Sequence, residues 1–463
     1  MEDGAPELAP PADRGTGPVA VVGAGWAGCA AAVTLAQAGI AVTLFEQAKT
    51  PGGRARRVAV DGRTLDNGQH LLIGAYRQTL ALMATVHGVA APASLFRRLP
   101  LTLAPFAPGE GVALAARRLP APLHLVAAFA GARGLSWPER FGLAAGFRRL
   151  AAADFRCPPG QTVGECFAAA PPRAMAALWT PLCIAALNTP PERASAQMFA
   201  NVLRATLTRG AADSDFLVPA TDLSTLFPDA ALRFVAGAGG TVRTGVTVRG
   251  VSADADAGGV RVDAAGRDER FAAAVVAVGP HQLAATVGGD GDAPWRPALD
   301  AVGAFGYESI TTVYLEYAGP VPLPAPIARL DDAPGQWVFG RAAAESKMKE
   351  PDGASTRLAV VISANGPHDA LDHAMLARVV DAQLRRLRPA LPALTWAKVI
   401  AERRATYACT PALRRPAAGR VAAGLYLAGD YTDPEFPATL EAAARSGVQA
   451  ARALLADAAA PGP

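Results

Sequence analysis

Apolar and polar positions follow a period along this chain that changes from segment to segment. Val19–Val22 is a short unbroken apolar run, which stops at Gly23, Gly25 and Gly28. An alanine-rich stretch of helical period follows as far as Gly39, and a second apolar run, residues 40–45, ends on Glu46. Unbroken apolar runs suit strands covered on both faces, so the pattern predicts a βαβ unit. A hairpin is expected around Asp61-Gly62.

From about residue 76 to 219 the strand pattern fades and helices are predicted instead. Three capping boxes mark helix starts there: Ser136 to Glu139, Thr162 to Glu165, and Thr189 to Glu192 with Pro190 at the first helical position. After Pro219 the mixed pattern returns. Asp222 is placed to cap a helix running to about Ala236, stopped by Gly237, Gly239 and Gly240. Residues 241–251 alternate as a strand pair, and residues 271–279 form an apolar run suited to a buried parallel strand. Strands over 310–317 and 358–364 and a helix near 370–388 come next. A short strand at 424–428 and a helix opening at Pro437 end the chain.

The glycines of the first turn change this from a fold reading to a chemical one. Gly23-Ala24-Gly25-Trp26-Ala27-Gly28 has G-x-G-x-x-G spacing between strand and helix, with an acid 18 residues beyond the last glycine. In such a turn the first glycine allows the tight bend, the second lets the backbone approach a pyrophosphate, and the third lets helix and strand pack closely. Glu46, followed by Gln47, is placed to accept the ribose hydroxyls, and no arginine stands beside it to receive a 2′-phosphate. A second glycine turn, Pro51-Gly52-Gly53-Arg54-Ala55-Arg56, suits a flavin dinucleotide, with Arg54 meeting the pyrophosphate from the other side.

Composition narrows the classes that remain. At 463 residues, 51% apolar and 18% charged, the chain calls for two intertwined domains, and a net charge of +4 gives no ground for a nucleic-acid partner. Five cysteines without C-x-x-C spacing read as reduced thiols of a cytoplasmic protein, and six histidines form no metal-type cluster. Residues 1–17, polar and rich in Pro and Gly, read as a disordered tail. The stretch over 119–135 is apolar but too short and interrupted to span a bilayer, and arginines 97, 98, 117, 118, 133, 140, 148 and 149 surround it. Peripheral contact with an anionic membrane fits this pattern, and so does a buried helix of a substrate domain.

The paired glycine turns resemble the flavin-containing amine oxidase and phytoene desaturase superfamily. Gly429-Asp430 and Pro437-Ala438-Thr439-Leu440 resemble its flavin end-clamp, and Gly-Asp in place of Gly-Glu is closer to the desaturase branch. Within that branch, Trp26-Ala27-Gly28, Leu65-Asp66-Asn67-Gly68-Gln69-His70, Trp179 to Cys183, Ala186 to Pro190 and Asp222 to Leu226 are similar to the hydroxysqualene dehydroxylases of bacterial hopanoid operons. Asp433 to Phe436 departs from that pattern, which usually has a shorter apolar pair there.

The resemblance implies an α/β architecture: a Rossmann-like FAD-binding domain of the GR2 flavoprotein type, interleaved with an α+β substrate domain. It divides the chain into 18–75, 220–285 and 395–463 for FAD, held non-covalently, and 76–219 and 286–394 for substrate. Val248 is implied at the adenine, Asn67 to His70 at the flavin ring, and Asp430 at the ribitol. The implied substrate is a C30 isoprenoid, the implied reaction reductive loss of an allylic hydroxyl, and a separate electron donor must reduce the flavin. A carotenoid-type desaturase is the alternative. His70 and Asp66 are the candidate proton sources for the departing hydroxyl, and turn hydrogen bonding accounts for them equally well.

Overall fold

The computed structural model describes residues 17–89, 94–107, 109–254, 258–288, 293–341 and 355–460, so residues 1–16 of the expected tail lie outside it. Its organising layer is a six-stranded sheet in the order Thr241–Thr244, Val42–Glu46, Val19–Val22, Ala273–Val276, Leu425–Leu427, Gly419–Ala422. All neighbours are parallel except the last pair. Val22 pairs with both Phe45 and Val276, and Val276 with Leu427, so the carboxyl ends of four strands reach one level. A parallel sheet opens its binding crevice at that edge.

Two helices point their N-termini at the same edge, and small residues make this feasible. The Ala-rich helix Trp26–Gln37 packs on the C-terminal helix Leu440–Ala459. A Cβ on Gly447 would lie 2.1 Å from the Ala27 carbonyl oxygen, so the two backbones nearly touch.

The second layer is a five-stranded antiparallel sheet, ordered Ile327–Arg329, Trp337–Arg341, Thr356–Ser363, Tyr307–Tyr317, Leu394–Tyr407. One face buries Val313, Leu315, Val338 and Val360 against Leu376, Val380 and Leu384 of the helix His373–Leu387. The strand Leu394–Tyr407 pairs with Tyr307–Tyr317 here, so the domain boundary expected at 395 moves beyond Tyr407. Helices Leu123–Ala130, Trp137–Ala152, Thr180–Leu187 and Ala196–Leu207 form the third layer.

Three local expectations are corrected. The segments Thr241–Thr244 and Val248–Ala253 do not pair with each other; Gly245, at φ +72°, turns the chain from the parallel sheet into a separate antiparallel one. The helix expected over 222–236 is two, Leu223–Leu226 and Pro228–Gly237, because Pro228 cannot continue a helix and restarts one. Thr189 to Glu192 caps no helix. The Thr189 hydroxyl donates to Leu187 O and accepts from Cys409 N, and the next helix is capped by Ser195, whose Oγ accepts from Met198 N. The boxes at Ser136 and Thr162 form as expected.

Candidate active site

The three layers enclose a cavity of about 1130 Å³ at the carboxyl edge of the parallel sheet. That lies at the top of the ~300–1,000 Å³ range of single-ligand sites, a size that suits a large ligand. The cavity has a polar end and an apolar end.

Gly23, Gly25, Trp26, Ala27, Glu46 and Gln47 line the polar end, facing Gly52, Gly53, Arg54 and Ala55 of the second turn. The turns are stitched together: Gly52 N donates to Ala24 O at 2.8 Å, and Trp26 Nε1 donates to Ala55 O at 3.1 Å. The Glu46 carboxylate, 8% exposed, accepts from Ala24 N at 2.7 Å and Ala48 N at 2.8 Å, which fixes it at the cavity wall. The three fingerprint glycines separate by cause. Gly23 has φ +101° and a Cβ there would meet Ala277 O at 2.8 Å; a Cβ on Gly28 would sit 1.8 Å from Gly23 O. The fold itself demands both. Gly25 has an ordinary φ of −70°, and a Cβ there would meet only Gly53 Cα, at 3.9 Å. The fold leaves this position open, so glycine there serves whatever occupies the cavity. The cradle fits a pyrophosphate.

Closure comes from the far end of the chain. Arg54 bonds Asp430, 376 residues later, and also the Ala405 carbonyl. Gly429, Asp430, Ala438, Thr439 and Leu440 all line the cavity, as does Val248. Thr439 caps the C-terminal helix through Ala442 N, so that helix's first-turn N–H groups face inward. The positive helix end suits a developing negative charge.

Asn67, Gly68, Gln69 and His70 line the middle of the cavity. Asn67 Nδ2 donates to Arg54 O at 3.0 Å, and Gln69 N to Thr312 Oγ1 at 3.3 Å. His70 Nδ1 lies 3.0 Å from Gly68 O, a contact that requires its proton on Nδ1 and leaves Nε2 as an acceptor in the neutral ring. Burial, aided by the Arg54 charge, holds this histidine below its ordinary 6.5, so it is neutral at pH 7.

Four expected positions lie outside the lining. Ala24, Gly28 and Pro437 shape the turns from behind it. Asp66 is a correction: it is 3% exposed, its carboxylate accepts from Leu223 N at 2.8 Å, and its carbonyl accepts from Tyr314 OH. Its carboxylate holds the start of the helix Leu223–Leu226 and does not reach the cavity. His281 and Glu402 join the polar end instead, beside Arg54. His281 lies in the short helix Pro280–Gln282 that follows the strand Ala273–Val276, the same strand-to-helix logic as the first turn, and that repetition was the clue available in the sequence. Glu402 sits in a strand whose polar pattern hid it.

Comparison with known proteins agrees with this geometry. Residues 26–455 match the family described as flavin containing amine oxidoreductase. The chain belongs to that family. It is accordingly an FAD-dependent oxidoreductase, and among the described residues no cysteine lines the cavity. The chain is 29% identical to a hydroxysqualene dehydroxylase of Rhodopseudomonas palustris, over 95% of this chain and 98% of that one. It is 27% identical to a hydroxysqualene dehydroxylase of Sinorhizobium fredii, over 94% and 97%. A hydroxyneurosporene desaturase of Rubrivivax gelatinosus matches at 54%, but over 11% of this chain and 10% of its own. Among solved structures, an oxidoreductase from Methanosarcina mazei shares the fold with a TM-score of 0.70, at 15% identity over 95% of this chain and all of that one.

Proposed function

We propose that this flavoenzyme removes the hydroxyl of hydroxysqualene reductively to give squalene, as a step toward hopanoid-type lipids. The observation that carries the reading is the apolar end of the cavity. Leu103, Leu125, Phe129, Leu182, Phe199 and Leu203 line it from one side, and Ile310, Trp337 and Ile400 from the other. An apolar channel of this kind suits a long hydrocarbon. End-to-end similarity to two dehydroxylases supports this reading over the desaturase alternative, where the likeness is confined to about a tenth of the chain.

On this reading Gly25 and Gly52-Gly53 would hold the pyrophosphate, Glu46 the adenosine ribose, Val248 the adenine and Asp430 the ribitol, and the N–H groups beyond Thr439 would be available to the flavin. Reduced FAD, when bound, supplies a hydride. The chain does the rest. The apolar walls exclude water that would recapture an allylic cation. His70 Nε2 holds the hydroxyl in its neutral form and delivers a proton to it when the ring is charged, so that the hydroxyl leaves as water. Because burial depresses the His70 pKa, the rate of dehydroxylation is expected to climb as pH falls below 6.5. His70→Asn is expected to flatten that rise and lower the rate by ~10²-fold or more, the usual contribution of a positioned acid. An unchanged pH–rate profile in the variant would remove His70 from the role.

The direct test is product analysis. Anaerobic, prereduced holoenzyme is expected to turn hydroxysqualene into squalene, read by mass spectrometry. Untouched hydroxysqualene, together with dehydrogenation of phytoene by the oxidised enzyme, would assign the protein to the desaturase reading.

A further inference from the structure

The helix Leu123–Ala130 has two apolar faces, and only one of them is covered. Leu125, Ala128 and Phe129 point inward and line the apolar end of the cavity. Leu123 and Val126 point outward and are 54% and 59% exposed. A single helix thickness therefore separates the cavity from the surface. The next helix, Trp137–Ala152, packs on it and carries Trp137 and Phe141 at 59% and 68% exposure, with ring centroids 6.1 Å apart. Arg140 joins the two: Nη1 donates to Ala130 O at 2.7 Å, and its guanidinium lies 4.7 Å from the Trp137 ring centroid. Large apolar side chains exposed together, next to the wall of an apolar cavity, mark an interaction surface.

The charge around this surface selects the partner. Six arginines (117, 118, 133, 140, 148 and 149) and one glutamate give residues 117–149 a net charge of +5, against +4 for the whole chain. Arg117, Arg118, Arg133, Arg148 and Arg149 are exposed. An apolar face rimmed with arginine fits a bilayer carrying anionic phospholipid, whose negative surface potential attracts basic residues held close to it.

We propose that Leu123, Val126, Trp137 and Phe141 insert into an anionic bilayer, and that the helix Leu123–Ala130 is the portal through which an apolar substrate passes from lipid into the cavity. The portal role rests on the proposed hydrocarbon substrate, whereas the docking surface does not. The sequence expectation of membrane contact included Phe129, but that side chain is 8% exposed and belongs to the cavity wall, so it is left out of the test.

The experiment uses the full-length holoenzyme and vesicles of phosphatidylcholine with roughly a third phosphatidylglycerol. The wild type is expected to float with them at low salt, and a Leu123→Glu/Val126→Glu/Phe141→Glu variant to partition at least ~10-fold less, because binding scales with buried apolar area. Met375→Glu, at an exposed apolar position on the helix His373–Leu387, controls for added charge and is expected to float as wild type. The triple variant is expected to retain flavin and turn over detergent-dispersed substrate normally, while its turnover of vesicle-embedded substrate falls ~10-fold in proportion to the lost binding. Should the triple variant lose its flavin, Phe141→Glu alone carries the test, since that ring is the most exposed of the set. No flotation of the wild type, or equal flotation of the variant, overturns the proposal. So does a concentration-dependent dimer that the same substitutions disrupt without any flotation. Flotation without turnover of either substrate form overturns the proposed reaction and leaves the docking surface standing.

Discussion

Gly28→Ala is expected to destabilise the protein by about 3 kcal/mol or more, at or above the upper end of overpacking penalties. The added methyl would lie 1.8 Å from Gly23 O, 3.0 Å from Gly23 C and 3.3 Å from the Ala277 Cβ. Two of these atoms belong to a backbone pinned in the parallel sheet, so neither side can give way. Gly25→Ala carries the same added methyl with the opposite result. Its nearest protein atom would be 3.9 Å away and its φ is ordinary, so thermal stability of the apoprotein is expected to stay near wild type. FAD affinity is expected to fall about tenfold or more, because the methyl enters the space the pyrophosphate needs. Melting curves of the apoproteins and flavin titrations separate the two effects. Equal destabilisation by both substitutions would contradict the division into glycines that serve the fold and one that serves the ligand.

Glu46→Ala is expected to weaken FAD binding by about 1.5–3 kcal/mol, or ~10–150-fold, the range for a lost hydrogen bond to a charged group. The carboxylate would do more than hold a ribose. It also accepts from Ala24 N and Ala48 N, so removing it leaves two N–H groups beside the phosphate turn without their acceptor. Glu46→Gln keeps one acceptor oxygen and is expected to recover part of the loss. If Glu46→Ala binds FAD as tightly as wild type, the ribose lies elsewhere.

The dinucleotide end of this site was legible in the sequence because its demands are local. A tight turn, a close approach and a helix start each fall within six residues, and the acid follows at the end of the next strand. The parallel strands were legible for the same reason, since burial on both faces leaves an unbroken apolar run. Contacts made across the fold left weaker traces. Asp66 looked catalytic beside His70, yet in the folded chain its carboxylate turns to Leu223 N, 157 residues away. Thr189 with Glu192 has capping spacing, but the Thr189 hydroxyl is taken by Leu187 O and Cys409 N. Glu402 reached the polar end through a long strand whose pairing with Tyr307–Tyr317 no local pattern announced. The surface around Trp137 was half visible: the apolar stretch over 119–135 stood out, but which of its side chains face outward is decided by the cavity behind it.

The proposed reaction has one direction of electron flow: the bound flavin would start reduced and end oxidised as the hydroxyl departs. Single-turnover absorbance measures this directly. Fully reduced holoenzyme, mixed anaerobically with one equivalent of hydroxysqualene, is expected to recover the oxidised flavin spectrum without oxygen, with one squalene formed per flavin. A flavin that stays reduced in the presence of that substrate, or one that reoxidises without forming squalene, would rule out the proposed dehydroxylation.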